Sequence, residues 1–239
     1  MNNRELVDMA NEIMTSSDIS FEHHKRFFNN KGQFRDIYYA DNTLEATVPD
    51  VGDVIRLVGE IQNSYNGSTR AGIRFYFQRL ACLNGMTSNV FGFGHMFKHS
   101  LGNIDWQEQI LKATNLLRTQ SEYKLQQFSE ACGKLQKPID FQELKVISEN
   151  NDYLGKLPTQ QYGQIVKNMV VSEHYPQTGN EFTAWDLLNS GTETLWHQKK
   201  ITQGAIKNNA LVVDGLLRYG KDTWDEPFLD PNQMSLDVN

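Results

Sequence analysis

The chain has 239 residues, 39% of them hydrophobic, and carries 29 Asp and Glu against 23 Lys and Arg for a net charge of −6. That supplies a packed core in one domain, or one domain with a helical appendage, and its acid excess argues against coating duplex DNA, where counterion release needs clustered Lys and Arg. No apolar run approaches the roughly 20 residues of a membrane span, and the opening Met1-Asn2-Asn3-Arg4-Glu5 lacks the apolar segment of a signal peptide.

Taken in order, Leu6, Met9, Ala10 and Ile13 fall at helical spacing and predict an amphipathic helix over Asn3 to Thr15. The run from Phe21 to Phe28 reads as a short helix or an extended arm. Its His23, His24, Lys25 and Arg26 either touch phosphate or form a solvated loop anchored by Phe27 and Phe28. Asn29 to Gly32 is a turn, and Phe34 to Ala40 and Thr43 to Val48 are short strands around an Asp41-Asn42 turn. Pro49 to Gly52 then leads into a hairpin.

In that hairpin Ile55, Leu57, Gly59 and Ile61 alternate with Arg56, Val58, Glu60 and Gln62, and Ala71, Ile73, Phe75 and Phe77 alternate with Arg70, Gly72, Arg74, Tyr76 and Gln78. Period two means strands with one buried face. A two-residue Asn66-Gly67 turn would pair Gln62 with Ala71 and mix the faces. A three-residue Tyr65-Asn66-Gly67 loop, with Gly67 left-handed, instead pairs Ser64 with Ser68 and sets Leu57 opposite Phe75. It gathers Arg56, Gln62, Arg70, Arg74, Tyr76 and Gln78 on an open face with Glu60 as the single acid.

Asn84-Gly85 marks a second turn, and Thr87 to Phe93 supplies a third long strand. Asp105 and Glu108 form a capping pair for a helix whose apolar stripe runs from Ile110 to Leu135. At roughly 30 residues it is about 45 Å long and crosses the sheet. Asp140 caps a short helix, Pro158-Thr159 starts another reaching about Val171, and Thr183 to Trp196 and Thr202 to Tyr219 form two more. Glu143 and Glu149 share no helix face and read as solvated.

The expected fold is therefore α+β: an antiparallel sheet crossed by one long helix in residues 1–138, a helical part over 139–219, and an acidic, poorly ordered tail over 220–239. The tail is either a solvated terminus or a segment that competes with nucleic acid for a basic face or docks a replication partner.

Charge is distributed unevenly. The 44 residues from Ile61 to Ile104 contain no Asp or Glu but hold Arg70, Arg74, Arg79, Lys98 and seven aromatics. The stretch is at +4, so with the whole chain at −6 the remainder is at −10. Binding a single strand needs cations along the phosphates and aromatics on which bases stack, the latter worth about 1 to 3 kcal/mol per base. Arg56, Arg70, Arg74, Arg79 and Lys98 supply the first, Tyr76 and Tyr65 the second, and His99 lies beside them; Phe75 and Phe77 belong to the core. Arg79 breaks the alternation and so sits at a bulge or is buried with a partner.

Other chemistry is weakly represented. His95 and His99 stand four apart, as two metal ligands on a helix do, but Lys98 lies between them and no carboxylate is nearer than Asp105. Cys82, in the apolar run Leu80-Ala81-Cys82-Leu83, reads as a buried inert thiol, and its distance from Cys132 suits reduced thiols. There is no Gly-x-Ser-x-Gly and no Walker loop, and Gly92-Phe93-Gly94 lacks the third glycine of a dinucleotide fingerprint. A non-enzymatic protein with neither metal nor cofactor is expected, soluble and cytoplasmic.

The sequences Asn63-Ser64-Tyr65-Asn66-Gly67-Ser68-Thr69 and Arg79-Leu80-Ala81-Cys82-Leu83-Asn84-Gly85-Met86 resemble the core of YfjQ/YafZ-type proteins of phages, prophages and plasmids, a domain of unknown function. Arg79, Cys82, Asn84 and Gly85 match that pattern, His95 or His99 stands for its later His, and Tyr65-Asn66 replaces its His-Asp. The resemblance implies a mobile-element origin and no established activity. Strands followed by one long helix are also loosely like the core of single-strand annealing proteins, a fold-level analogy. The function expected is a phage- or prophage-encoded accessory of recombination or replication, in the host cytoplasm, binding single-stranded DNA as an oligomer, with strand annealing as the extension of that activity. The alternative is an interaction protein that engages a host or viral protein in counter-defence or assembly, using its acidic exterior with Trp185, Trp196 and Trp224.

Overall fold

The structure is a computed structural model and describes residues 2–28, 32–49, 51–67, 70–80, 84–86, 88, 91–97, 106–171, 182–196 and 203–223. Helix α1 (Asn3–Ser16) opens with a capping box, in which the Glu5 N–H donates to Asn2 Oδ1 at 2.9 Å and the Asn2 N–H donates to Glu5 Oε2 at 2.8 Å. Its apolar stripe, Leu6, Met9, Ala10, Ile13 and Met14, is buried as the spacing predicts.

The stretch read as helix or arm is a strand, β1 (Phe21–Phe28), pairing antiparallel with β2 (Gln33–Ala40) from Phe21 against Ala40 to Phe28 against Phe34. A bulge between His23 and Lys25 interrupts the ladder. Where Thr43 to Val48 was expected to be a strand, a 3-10 turn over Asn42–Leu44 precedes the short β3 (Glu45–Thr47). The Asp41 carboxylate accepts from the Thr43 N–H at 3.0 Å and holds the turn in place of extended chain.

Strands β4 (Val54–Ser64) and β5 (Ala71–Arg79) are the expected hairpin, and Gly67 takes the left-handed conformation at φ +71°. The expected Ser64–Ser68 pair falls partly outside the described residues. The Leu80 N–H donates to Val54 O at 2.9 Å, and the Phe75 ring lies over Gly59, where a Cβ would meet it at 3.2 Å. These contacts set Phe75 beside Gly59 where Leu57 was expected. The even offset leaves every side chain on its expected face, and glycine gives the ring the room it needs.

Asn84-Gly85 does not turn: β6 (Asn84–Met86) is a strand, because pairing with a neighbour overrides local turn preference. The third long strand begins at Phe93 as β7 (Phe93–Phe97). The Phe91 N–H donates to Ser88 Oγ at 3.0 Å in a turn before it, and Thr87, Asn89 and Val90 lie outside the described residues. His95 is therefore on a strand and not on a helix.

The sheet is seven-stranded and antiparallel, in the order β1-β2-β4-β5-β6, with β3 also beside β4 and β7 beside β5. β4 and β5 are its interior and β1 is an edge. The long helix α2 (Trp106–Gly133) follows at 28 residues; its expected cap, Asp105, lies outside the described residues. β8 (Pro138–Ile139) pairs with β9 (Phe182–Thr183), and α3 (Phe141–Glu149), α4 (Thr159–Val171), α5 (Ala184–Trp196) and α6 (Gln203–Thr223) complete the helices. Glu143, expected to be solvated, closes the Asp140 capping box of α3 and accepts from the Tyr219 hydroxyl at 2.9 Å.

The chain forms two compact units, Met1–Ala46, Ile55–Gln78 and Gly92–Gln126 in the first, and Thr47–Val54, Arg79–Phe91 and Gln127–Asn239 in the second. Leu6, Ile13, Ile55, Leu57, Ile61, Ile73, Phe75 and Phe77 build the first core, each fully buried large side chain stabilising it by about 1.5 to 3 kcal/mol. In the second, α5 packs on α4 and α6 over Ile165, Leu187, Leu188, Val212 and Leu216, and Phe91 meets Phe128 edge to face at 5.5 Å. The tail expected from Gly220 is helical as far as Thr223, its last turn held by the Tyr153 hydroxyl donating to Asp222 at 3.0 Å; residues 224–239, Trp224 among them, lie outside the described residues. No helix among the described residues is long and apolar enough to cross a membrane.

Candidate nucleic-acid interface

Alternation along β4 and β5 puts Arg56, Glu60, Arg74 and Tyr76 on the face expected to be open. The strand order adds a neighbour that the hairpin alone does not supply. In the β2–β4 ladder Ile37 opposes Glu60 and Arg35 opposes Gln62, so Arg35 shares the face and reaches Glu60 diagonally. Its Nε donates to Glu60 Oε1 at 2.7 Å and its Nη2 to Oε2 at 2.5 Å, a bidentate pair. From the other side Arg74 Nη2 donates to the same Oε1 at 3.0 Å.

Glu60 is wholly buried between the two guanidinium groups. Burial pushes its carboxyl up, but the charges and hydrogen bonds of Arg35 and Arg74 outweigh that and hold it at about 2. Tyr76 is 3% exposed, with the Arg74 guanidinium 5.6 Å from its ring centroid. Burial and then the Glu60 charge drive its phenol far up, so it is neutral at ordinary pH and offers no stacking platform.

The remaining expected contacts fare unequally. Arg56 donates through Nε to Glu45 Oε1 at 2.6 Å and through Nη2 to the same oxygen. Arg79, the last residue of β5, pairs with Asp53 at 2.8 Å and lies 6.0 Å from the Trp185 ring, whose Nε1 donates to Asp53 at 3.1 Å. Arg56 and Arg79 are thus each neutralised by a carboxylate of their own unit, Arg74 shares the Glu60 carboxylate with Arg35, and Tyr76 is in the interior. Of the expected set, Arg70 is exposed, while Lys98 and His99 lie outside the described residues. Trp185, expected to serve protein recognition, is 3% exposed.

Exposed basic or titratable side chains lie instead on β1. His23, His24, Lys25 and Arg26 are all exposed. Phe28 is 64% exposed beside them, and Tyr65 is 62% exposed on the hairpin tip, tied to the residue before β2 by its N–H donating to Gly32 O at 3.0 Å. Lys25 stands 4.9 Å over the Phe27 ring, and His24, the bulge residue, stacks on Tyr39 at 4.3 Å. On the opposite face Asp36, wholly buried, takes His23 Nε2 at 2.7 Å, Arg26 Nη2 at 2.6 Å and the Tyr38 hydroxyl at 2.9 Å. Burial raises that carboxyl, yet the hydrogen bonds from Arg26, His23 and Tyr38 hold it below its ordinary value. The run of four basic or titratable residues was the sequence signal for this surface. Its placement on a sheet edge was not readable.

Comparison with known proteins returns no match to a family model, a curated protein or a solved structure.

Proposed function

We propose that this chain is a non-catalytic binding protein for single-stranded nucleic acid, and that its contact surface is the β1 edge with the adjoining hairpin tip. The observation that carries the reading is the interleaving of exposed Lys25 and Arg70 with exposed Phe28 and Tyr65 on one unit, the combination of phosphate partners and stacking surfaces that an extended strand requires. Arg26 beside them is half exposed and bonded to Asp36. The eight residues of β1 run about 26 Å at roughly 3.3 Å each, room for a few nucleotides. Motif similarity to mobile-element proteins suggests phage recombination or replication as the setting, with oligomerisation lengthening the surface and annealing following where bases stay outward.

Anisotropy of a labelled oligonucleotide at about 50 mM salt, where such contacts are strongest, tests it. Binding should fall on raising salt with a log–log slope of about −1.4, as two neutralised phosphates on a single strand require, and Lys25→Ala/Arg70→Ala should abolish it. Absence of binding, or binding that the double variant leaves intact, overturns the proposal.

One observation favours a second reading. Among the described strands β1 pairs only with β2, and an edge strand can accept an extended peptide by strand addition, which suits a host or viral protein partner. Co-purifying protein that survives nuclease treatment and disappears on placing proline at an outward backbone position of β1 supports this reading over the first.

A further inference from the structure

We propose that the Arg35–Glu60–Arg74 cluster is a binding site for a single phosphate group, independent of the β1 surface. Its charge does not close. One carboxylate serves two guanidinium groups, and among the described residues Glu60 is the only partner that Arg35 and Arg74 have for their hydrogen bonds. The trio carries +1 with its carboxylate at zero exposure and the two arginine side chains only 18% and 22% exposed. Burying a net charge is costly unless a counter-charge meets it.

An independent feature points the same way. Arg74 Nε is buried with no hydrogen-bond partner among the described residues, an unusual condition for a charged donor. The Arg35 and Arg74 side chains are not sealed, at 18% and 22% exposed, so part of each meets solvent. The two guanidinium groups, on partly exposed side chains, give two edges held on either side of one anchor.

The anchor is what makes the arrangement a receptor. Arg35 is fixed bidentately and rides on β2, while Arg74 rides on β5, and β4 between them carries Glu60. Both long side chains are therefore ordered before a ligand arrives, and binding removes less rotamer entropy. A tetrahedral phosphate offers several oxygens to the two edges, and its charge neutralises the excess. Arg56 is consumed by Glu45 and Arg79 by Asp53, so neither competes for it.

The test uses the whole chain, with thermal unfolding and ³¹P line width measured in inorganic phosphate, in a nucleoside monophosphate and in chloride at matched ionic strength. Both phosphate compounds should raise Tm over chloride and broaden the phosphorus signal. Arg74→Met leaves Arg35 and Glu60 as a one-to-one pair, so it should fold, and it should weaken phosphate at least about tenfold. Arg74→Lys keeps the charge without the fork and should fall between the two. A response to the nucleotide alone assigns the site to a phosphate borne on a nucleoside, and an equal response to both assigns it to the phosphate group itself. No response over chloride in the wild type, or an undiminished one in Arg74→Met, overturns the proposal. Lys25→Ala/Arg70→Ala should leave the response unchanged, which separates this site from the oligonucleotide surface.

Discussion

Two buried carboxylates on opposite faces of one sheet hold their partners differently. Glu60 lies on interior strand β4 and is enclosed by Arg35 and Arg74, both largely buried. Asp36 lies on β2 beside the edge, and its partners His23 and Arg26 are about half exposed, at 49% and 53%. An interior position encloses the carboxylate from both sides, whereas an edge position leaves its partners half in water. The same alternation of residues produces a largely buried cluster in one place and a presented one in the other.

The sharpest way to break this contrast is Glu60→Gln. It strands two guanidinium groups around a neutral amide and should cost about 3 to 5 kcal/mol, read as a lowered denaturant midpoint with the slope unchanged. Asp36→Asn should cost less, about 1 to 3 kcal/mol, because Arg26 and His23 can turn to solvent. Equal losses in the two variants would remove the distinction.

Acid should separate the two sites next. Both carboxyls are depressed in the folded chain, Glu60 to about 2. A depressed carboxyl contributes stability that is present above its unfolded value of about 4 and lost as pH falls through the folded one. For Glu60 the contribution is on the order of 3 kcal/mol, so stability should decline between about pH 4.5 and 2, and Glu60→Gln should flatten most of that decline. A variant that keeps the wild-type slope of Tm against pH would place the decline elsewhere.

The smallest expected effect on stability is at the surface. Lys25→Ala and Arg70→Ala should each change it by less than about 0.5 kcal/mol, while the salt slope of oligonucleotide binding should become shallower by about 0.7 for each phosphate that is no longer neutralised. A large stability loss in either variant would mean that these cations are structural, as Arg56 and Arg79 are.

Much of the local architecture could be read from residues alone. The Asp140 cap of α3, the stripes of α1 and α2, the alternation of β4 and β5 and the left-handed Gly67 each rest on neighbours within about four positions, and each is present. The candidate surface was less legible. Arg56 and Arg74 are on the face expected and Arg79 has a partner, one of its two expected settings, but the carboxylates that these arginines meet are 11, 14 and 26 positions away in the chain. Arg35 carried no local signal because its partner is 25 positions distant. Asn84-Gly85 failed as a turn for the same reason, since a strand pairing outvoted a dipeptide preference.

By itself the sequence determined which face each side chain takes, because backbone period and steric preference act between near neighbours. Whether a face would be open, and whether an arginine on it would meet phosphate or carboxylate, was decided only when β2 and β5 came to lie on either side of β4. Coulomb attraction depends on distance in space and on the loss of water, and both are set by strand order rather than by position along the chain.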